Sequence, residues 1–195
     1  MPTVVLDRKE LRQQISDCTS CDIAKLDNCG PVLFTGNPSS NMVVGEAPGR
    51  TEDEKGKPFL GPAGKLLWEE LGKLGMTRAD FFVTNAVSCY PNRPEKKPTE
   101  GEIYACRGHL YRQVKYCDPV AILALGATAN ESFGKKEPMG KIHGKWYRLP
   151  WFKTSDCADI YVFPTWHPSY LLRDLSRLRA WREDLNRFVN EDPPR

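Results

Sequence analysis

The chain has 195 residues, a hydrophobic fraction of 40%, a charged fraction of 27% and a formal net charge of +3. That length supports one domain with a sizeable core, and we expect residues 1–195 to form one, with 191–195 frayed. No run of about 18 apolar residues exists to cross a membrane, and the opening MPTVVLDRKE lacks the apolar centre of a secretory leader. A cytoplasmic monomer is expected. The mild positive charge permits a polyanionic partner without requiring one. Seven cysteines, an odd number, argue against a closed disulfide framework and for metal binding.

In chain order, residues 7–16 read as a short helix, followed by a Cys-x-x-C pair at Cys18 and Cys21 and a Gly- and Pro-containing loop to Ser40. Met42–Val44 is a buried strand that enters the turn GEAPG at 45–49. Residues 61–75 read as a helix, with Leu66, Leu67, Leu71 and Leu74 on one face and Gly75 as a stop. A second strand spans 80–87, and a long loop, CYPNRPEKKPTEGE, follows. A helix covers 103–117, preceded by a capping-box pattern at Thr99 and Glu102. A third buried strand lies at 120–126, and another helix opens at 127. Residues 141–152 and 159–166 read as strands around a turn, and a final helix runs from Ser169, as its cap, to about Asn190.

Alternating strands and helices predict an α/β fold, a three-layer α/β/α sandwich around a mainly parallel four-stranded sheet. Ligands in such sheets sit outside the carboxyl ends of the strands. Three loops leave strands there, at Gly45–Gly49, Thr84–Asn85 and Trp166–Ser169, and they carry most of the chemistry-bearing residues. The opening turn is unusual for a phosphate loop, because Glu46, Glu52, Asp53 and Glu54 would repel a phosphate.

The Cys-x-x-C pair can place two sulfurs on one metal, and Cys89 and Cys106 are available to complete a set of four. Zinc and an iron–sulfur cluster both accept four thiolates, and spacing alone does not choose between them. Cys117 reads as core, Cys29 and Cys157 as left over, with Cys29 the one spare close enough in sequence to compete as a ligand, and His109 and His143 as structural or exposed.

Three motifs, GEAPGRTEDEKGKPFLGPAGKLL at 45–67, TNAVSC at 84–89 and HPSYLLRD at 167–174, together resemble the family-four uracil-DNA glycosylases, which carry an iron–sulfur cluster. The resemblance covers roughly residues 15–180 and implies a 4Fe-4S cluster held by Cys18, Cys21, Cys89 and Cys106. It implies uracil-containing DNA, single- or double-stranded, as substrate and free uracil as product. The bond from deoxyribose C1′ to uracil N1 is hydrolysed after the base leaves the stack.

Under that resemblance Gly45, Glu46 and Ala47 form a turn whose backbone donates to a uracil oxygen. Glu46 and its acidic neighbours favour a cationic sugar or position water. Phe59 stacks on the base, Asn85 reads its Watson–Crick edge, and His167 stabilises the departing anion. Catalysis falls to Glu46, Asn85 and His167. Ser169, Leu171, Leu172 and Arg173 contact DNA, with Leu171 or Leu172 as the wedge that fills the gap.

The chain also departs from related enzymes. Ala47 stands where the best-known uracil glycosylases have a water-orienting aspartate, and Gly49 stands where they have a tyrosine that excludes thymine, a task that Glu52 is expected to take over. Tyr90, Pro91 and Asn92 replace an arginine and paired prolines. The loop NRPEKKPTEGE holds no histidine of the kind that traps uracil-DNA covalently in some relatives. Competing readings are a DNA-binding relative without activity and a zinc-stabilised nucleotide-binding domain.

Overall fold

The computed structural model describes residues 7–194. The leader expectation on residues 1–6 and the last residue of the frayed tail lie outside them.

Five strands form one sheet: β1 (Asn41–Gly45), β2 (Phe81–Asn85), β3 (Ala121–Leu125), β4 (Tyr147–Lys153) and β5 (Asp159–Thr165). Their spatial order is β2-β1-β3-β5-β4. The first four in that order run parallel, and β4 adds an antiparallel edge through the hairpin to β5. The sheet therefore has five strands where four were expected. Register pairs Gly45 with Asn85 and Leu125 with Thr165. The carboxyl ends of the parallel strands thus finish together along one side of the sheet.

Side chains alternate across a strand, and the packing follows. Met42 and Val44 join one core with Leu11, Ile15, Leu110 and Val114. Val43 joins the other with Leu67, Leu71, Trp181 and Leu185. The first core lies under α1 (Arg8–Ser16), α4 (Glu100–Cys117) and α5 (Ala127–Ser132). The second lies under α3 (Pro62–Lys73) and the last helix, α8 (Leu178–Asn190). Both sheet faces are covered, so the strands read as continuous apolar runs.

Several boundaries differ from the sequence reading. The acidic segment after the turn is itself a helix, α2 (Arg50–Lys55), with Glu52 at its third position accepting from the Gly49 N–H and with Gly56 ending it at φ +65°. Helix α4 starts at Glu100, three residues earlier than expected, with Thr99 as its N-cap in a capping box with Glu102. Residues 139–142 form a single helical turn, α6 (Met139–Ile142), instead of beginning a strand.

The expected continuous helix from Ser169 to Asn190 is broken. A four-residue helix, α7 (Pro168–Leu171), precedes Asp174, whose backbone is extended and whose side chain accepts from the Ser176 N–H. A 3-10 turn at Leu175–Arg177 then leads into α8. Residues 191–194 follow α8 without regular structure. No helix is long and apolar enough to cross a membrane among the described residues.

Candidate functional site

A cleft of about 1090 Å³ opens at the carboxyl ends of the parallel strands. It is lined by the turn after β1, by Asn85 at the end of β2, and by Trp166, His167 and Ser169 after β5. The three loops singled out in the sequence thus face one space. Phe59 and Tyr90 add aromatic wall. Lys96, Lys97, Leu172 and Arg173 also line the cleft.

The turn after β1 continues the pairing with β2: Ala86 N–H donates to Gly45 O and Val87 N–H to Glu46 O. Gly45 has no room for a side chain. A β-carbon there would lie 2.3 Å from Asn85 Oδ1 and 2.5 Å from the Phe59 ring. Glu46 projects into the cleft, where its Oε2 accepts from Thr128 Oγ1 at 2.6 Å. Thr128, on α5, has no mark in the sequence that ties it to the site.

The other acidic residues of the turn are hydrogen-bonded to the backbone or exposed. Glu52 borders the cleft, but Oε1 accepts from the Leu60 and Gly61 N–H groups at 2.9 and 2.7 Å. Its Oε2 accepts from Gly49 N–H at 3.1 Å. Asp53 accepts the Cys29 N–H with both oxygens, at 3.1 Å each. Glu54 is exposed and near Arg50. Glu46 is therefore the one acidic side chain of residues 46–54 that faces the cleft with an uncommitted oxygen.

Asn85 is 6% exposed, and its amide has no protein hydrogen bond among the described residues. A buried amide without partners is costly unless a ligand or water supplies them. Phe59 is buried, with its ring 6.1 Å from the His167 ring at an interplanar angle of 29°. Its backbone has φ +56°, a region that non-glycine residues seldom occupy.

His167 caps α7. Its Nδ1 accepts from Ser169 N–H at 3.1 Å and lies 2.7 Å from Ser169 Oγ. An Nδ1 that accepts a backbone N–H places the ring proton on Nε2. Burial, with a smaller contribution from Arg173, lowers the His167 pKa from 6.5 to about 4. At neutral pH the ring is a neutral Nε2–H donor. Ser169 is thus the residue being capped, not the cap. Behind it, Trp166 packs against His143 at 3.8 Å between ring centroids, and His143 Nδ1 contacts Asp184 at 3.0 Å.

Of the expected DNA contacts, Ser169, Leu172 and Arg173 line the cleft. Leu171 does not: it is 0% exposed and packs with Leu67, Trp181 and the second core. The wedge expectation therefore narrows to Leu172, which is 49% exposed. Lys96 and Lys97, in the loop after β2, border the cleft. Their loop is held by Arg93, which donates to Lys97 O at 3.1 Å and pairs with Glu102.

Cys89 and Cys106 are buried together with Ile23, Val87 and Ile103, and Cys21 packs against them. Burial first, and then the neighbouring thiols of the set, push Cys89 up to about 12 and Cys106 up to about 11. Cys18 is close enough to contribute to both. No group of three or more His, Cys, Asp or Glu side chains is drawn into a metal-holding arrangement among the described residues. Three of the expected ligands, Cys21, Cys89 and Cys106, thus share one small cluster, and thiols are donors that zinc and iron–sulfur groups both accept. Cys117 is core, donating to Ser39 O at 3.3 Å, while Cys29 and Cys157 are exposed.

The sequence pattern of the uracil DNA glycosylase superfamily matches residues 34–189. A Type-4 uracil-DNA glycosylase of Thermotoga maritima is 38% identical over 192 residues, covering 95% of this chain and 92% of that protein. A Type-4 uracil-DNA glycosylase of Pyrobaculum aerophilum is 35% identical over 191 residues, 94% and 93% of the two chains. One of Saccharolobus solfataricus is 35% identical over 184 residues, 91% and 82%. With the matched residues spanning the whole sheet and all three strand-end loops, this chain belongs to the uracil-DNA glycosylase superfamily.

Proposed function

We propose that the chain is a monofunctional uracil-DNA glycosylase that excises uracil from DNA and leaves an abasic site. It acts as a cytoplasmic monomer and releases free uracil. The observation that carries this reading is the convergence of Glu46, Phe59, Asn85 and His167 on one cleft.

The extruded base stacks on Phe59. The Asn85 amide accepts from uracil N3–H and donates to O4. Cytosine presents the reverse pattern and leaves a buried amide mismatched, which discriminates strongly. As the C1′–N1 bond breaks, its electron pair stays on uracil and the sugar becomes cationic. The His167 Nε2–H and the Ala47 N–H, which has no backbone partner among the described residues, meet the charge on uracil O2. A neutral histidine suits this task, since it donates without holding a second proton. The free Glu46 oxygen faces the cationic sugar and orients the water whose oxygen bonds to C1′. The water's spare proton leaves to the uracil anion or to solvent.

Lys96, Lys97 and Arg173 flank the cleft as phosphate contacts, and Leu172 fills the vacated stack. Cys18, Cys21, Cys89 and Cys106 hold a 4Fe-4S cluster. Bound there, it supplies a cross-link between the N-terminal segment, the loop after β2 and α4, and takes no part in the cleavage.

The test is cleavage of a uracil-containing oligonucleotide, read after alkali, beside thymine and cytosine controls. Strand scission at uracil alone is expected, with Asn85→Ala reducing it at least about a hundredfold while the protein remains folded. No scission would sink the reading and favour a DNA-binding relative without activity. Iron and a brown colour are expected; stoichiometric zinc in a colourless protein would reject the cluster.

A further inference from the structure

Phe59 has an aromatic ring in the cleft and a left-handed backbone behind it. A bulky residue does not hold that conformation unless its surroundings impose it. The constraint comes from one guanidinium. Arg78 Nη2 donates to Pro58 O at 2.5 Å and to Thr35 Oγ1 at 3.0 Å, and Nη1 donates to Phe59 O at 3.2 Å. Trp68 Nε1–H donates to the same Phe59 carbonyl at 3.1 Å, and the Arg78 guanidinium sits 5.0 Å from the Trp68 ring centroid. On the other side the backbone of Gly64 closes in, since a β-carbon there would lie 2.2 Å from Phe59 C and O.

Arg78 forms no salt bridge among the described residues, unlike Arg182 with Glu70 or Arg93 with Glu102. Three of its five N–H donors go to two successive carbonyls and a hydroxyl. Only a planar fork bridges two adjacent carbonyls in this way; an ammonium is a single point.

We propose that Arg78 is a positioning residue for base recognition, clamping the Pro58–Phe59 carbonyls so that the Phe59 ring meets the extruded pyrimidine at the stacking angle. The inference rests on the reading of Phe59 as the stacking residue. Arg78 touches neither base nor sugar and acts through Phe59. It lies 19 residues away in the chain, in the 3-10 turn Arg78–Asp80 that leads into β2.

A double-mutant cycle tests it. Phe59→Ala, Arg78→Lys and the double variant are compared for single-turnover cleavage of uracil-DNA, for inhibition by free uracil, and for melting temperature. Arg78→Lys is expected to slow cleavage roughly tenfold and to weaken uracil inhibition by a similar factor. In the Phe59→Ala background the same change should cost less than about twofold, because the ring it positions is gone. The fall in melting temperature should be the same in both backgrounds, which separates positioning from general stability.

If Arg78→Lys costs the same factor with and without the ring, or leaves cleavage and uracil inhibition unchanged, the clamp is overturned. If Phe59→Ala alone cleaves and is inhibited normally, the stacking reading fails and takes the clamp with it. Should Arg78→Lys be recovered unfolded, Arg78→Gln, which keeps a donor for one carbonyl, enters the same cycle, and the same outcomes support or overturn the clamp.

Discussion

Gly45 and Asn85 are register partners on adjacent parallel strands, and Asn85 Oδ1 occupies the space that a β-carbon on Gly45 would need. The glycine is there to let the amide lie against the backbone beneath the cleft. In Gly45→Ala the methyl would stand 2.3 Å from that oxygen and 2.5 Å from the Phe59 ring, so one of them must move. Cleavage of uracil-DNA is expected to fall at least about tenfold, since a displacement of about 1 Å is costly in a preorganised site. Single-turnover rates at saturating enzyme check it.

Glu52 organises the turn from within. Its carboxylate accepts three backbone N–H groups, from Gly49, Leu60 and Gly61. Glu52→Ala leaves all three without a partner and is expected to destabilise the fold by about 3 kcal/mol. Denaturant unfolding measures this. If stability is unchanged, the three amides have found other partners and the carboxylate is dispensable.

The pH dependence of His167 has a defined sign. Its folded pKa, about 4, lies below the ordinary 6.5, so the folded protein binds this proton more weakly than the unfolded chain does. Its contribution to stability is level above 6.5 and declines as pH falls through 6.5 toward 4. The donor form of the ring persists over the same interval. A pH profile of the chemical step should therefore show no inflection near 6.5 from this residue and a loss only near 4.

Leu171 and Leu172 are neighbours with opposite surroundings, at 0% and 49% exposure. Leu171→Ala removes core volume and should cost about 2–5 kcal/mol in unfolding free energy. Leu172→Ala should leave stability within about 0.5 kcal/mol. It should slow excision from duplex more than from single strands, where no stack has to be refilled. Equal effects on both substrates would remove Leu172 from the wedge role.

Lys96 and Lys97 give an electrostatic test. Each lysine that contacts a phosphate releases counterions, so its removal should flatten the slope of log Kd against log salt by about 0.9. Lys96→Ala and Lys97→Ala are each expected to do this with cleavage at saturating DNA unchanged. An unchanged slope would leave them as solvated rim.

Sequence reasoning reached the parts of the site governed by short-range pattern. Met42–Val44 and residues 120–126 read as buried strands because both faces of a covered parallel sheet are apolar, and the topology then placed their carboxyl ends together. Contacts set by tertiary approach left no mark. Thr128 in ATANES and Arg78 in TRAD look like ordinary helix and turn residues, and only the folded chain brings them to Glu46 and Phe59. The direction of an acidic side chain was equally hidden: Glu46 and Glu52 sit on one turn, yet one faces the cleft and the other the backbone. The break after Leu171 was missed because Ser169–Asn190 has helical composition, while Asp174 stops the helix by bonding its side chain forward to Ser176.

In α2, Glu52 and Asp53 pull in different directions, one on the Gly49–Gly61 backbone and the other on Cys29. Consecutive helical residues point about 100° apart, so this divergence depends on helix phase. A single residue inserted or deleted between Gly49 and Asp53 would rotate one grip away while the other held. Length variation across homologous chains is therefore expected to be absent from that stretch and to collect where no such opposed anchors exist, as in the exposed segment 134–138.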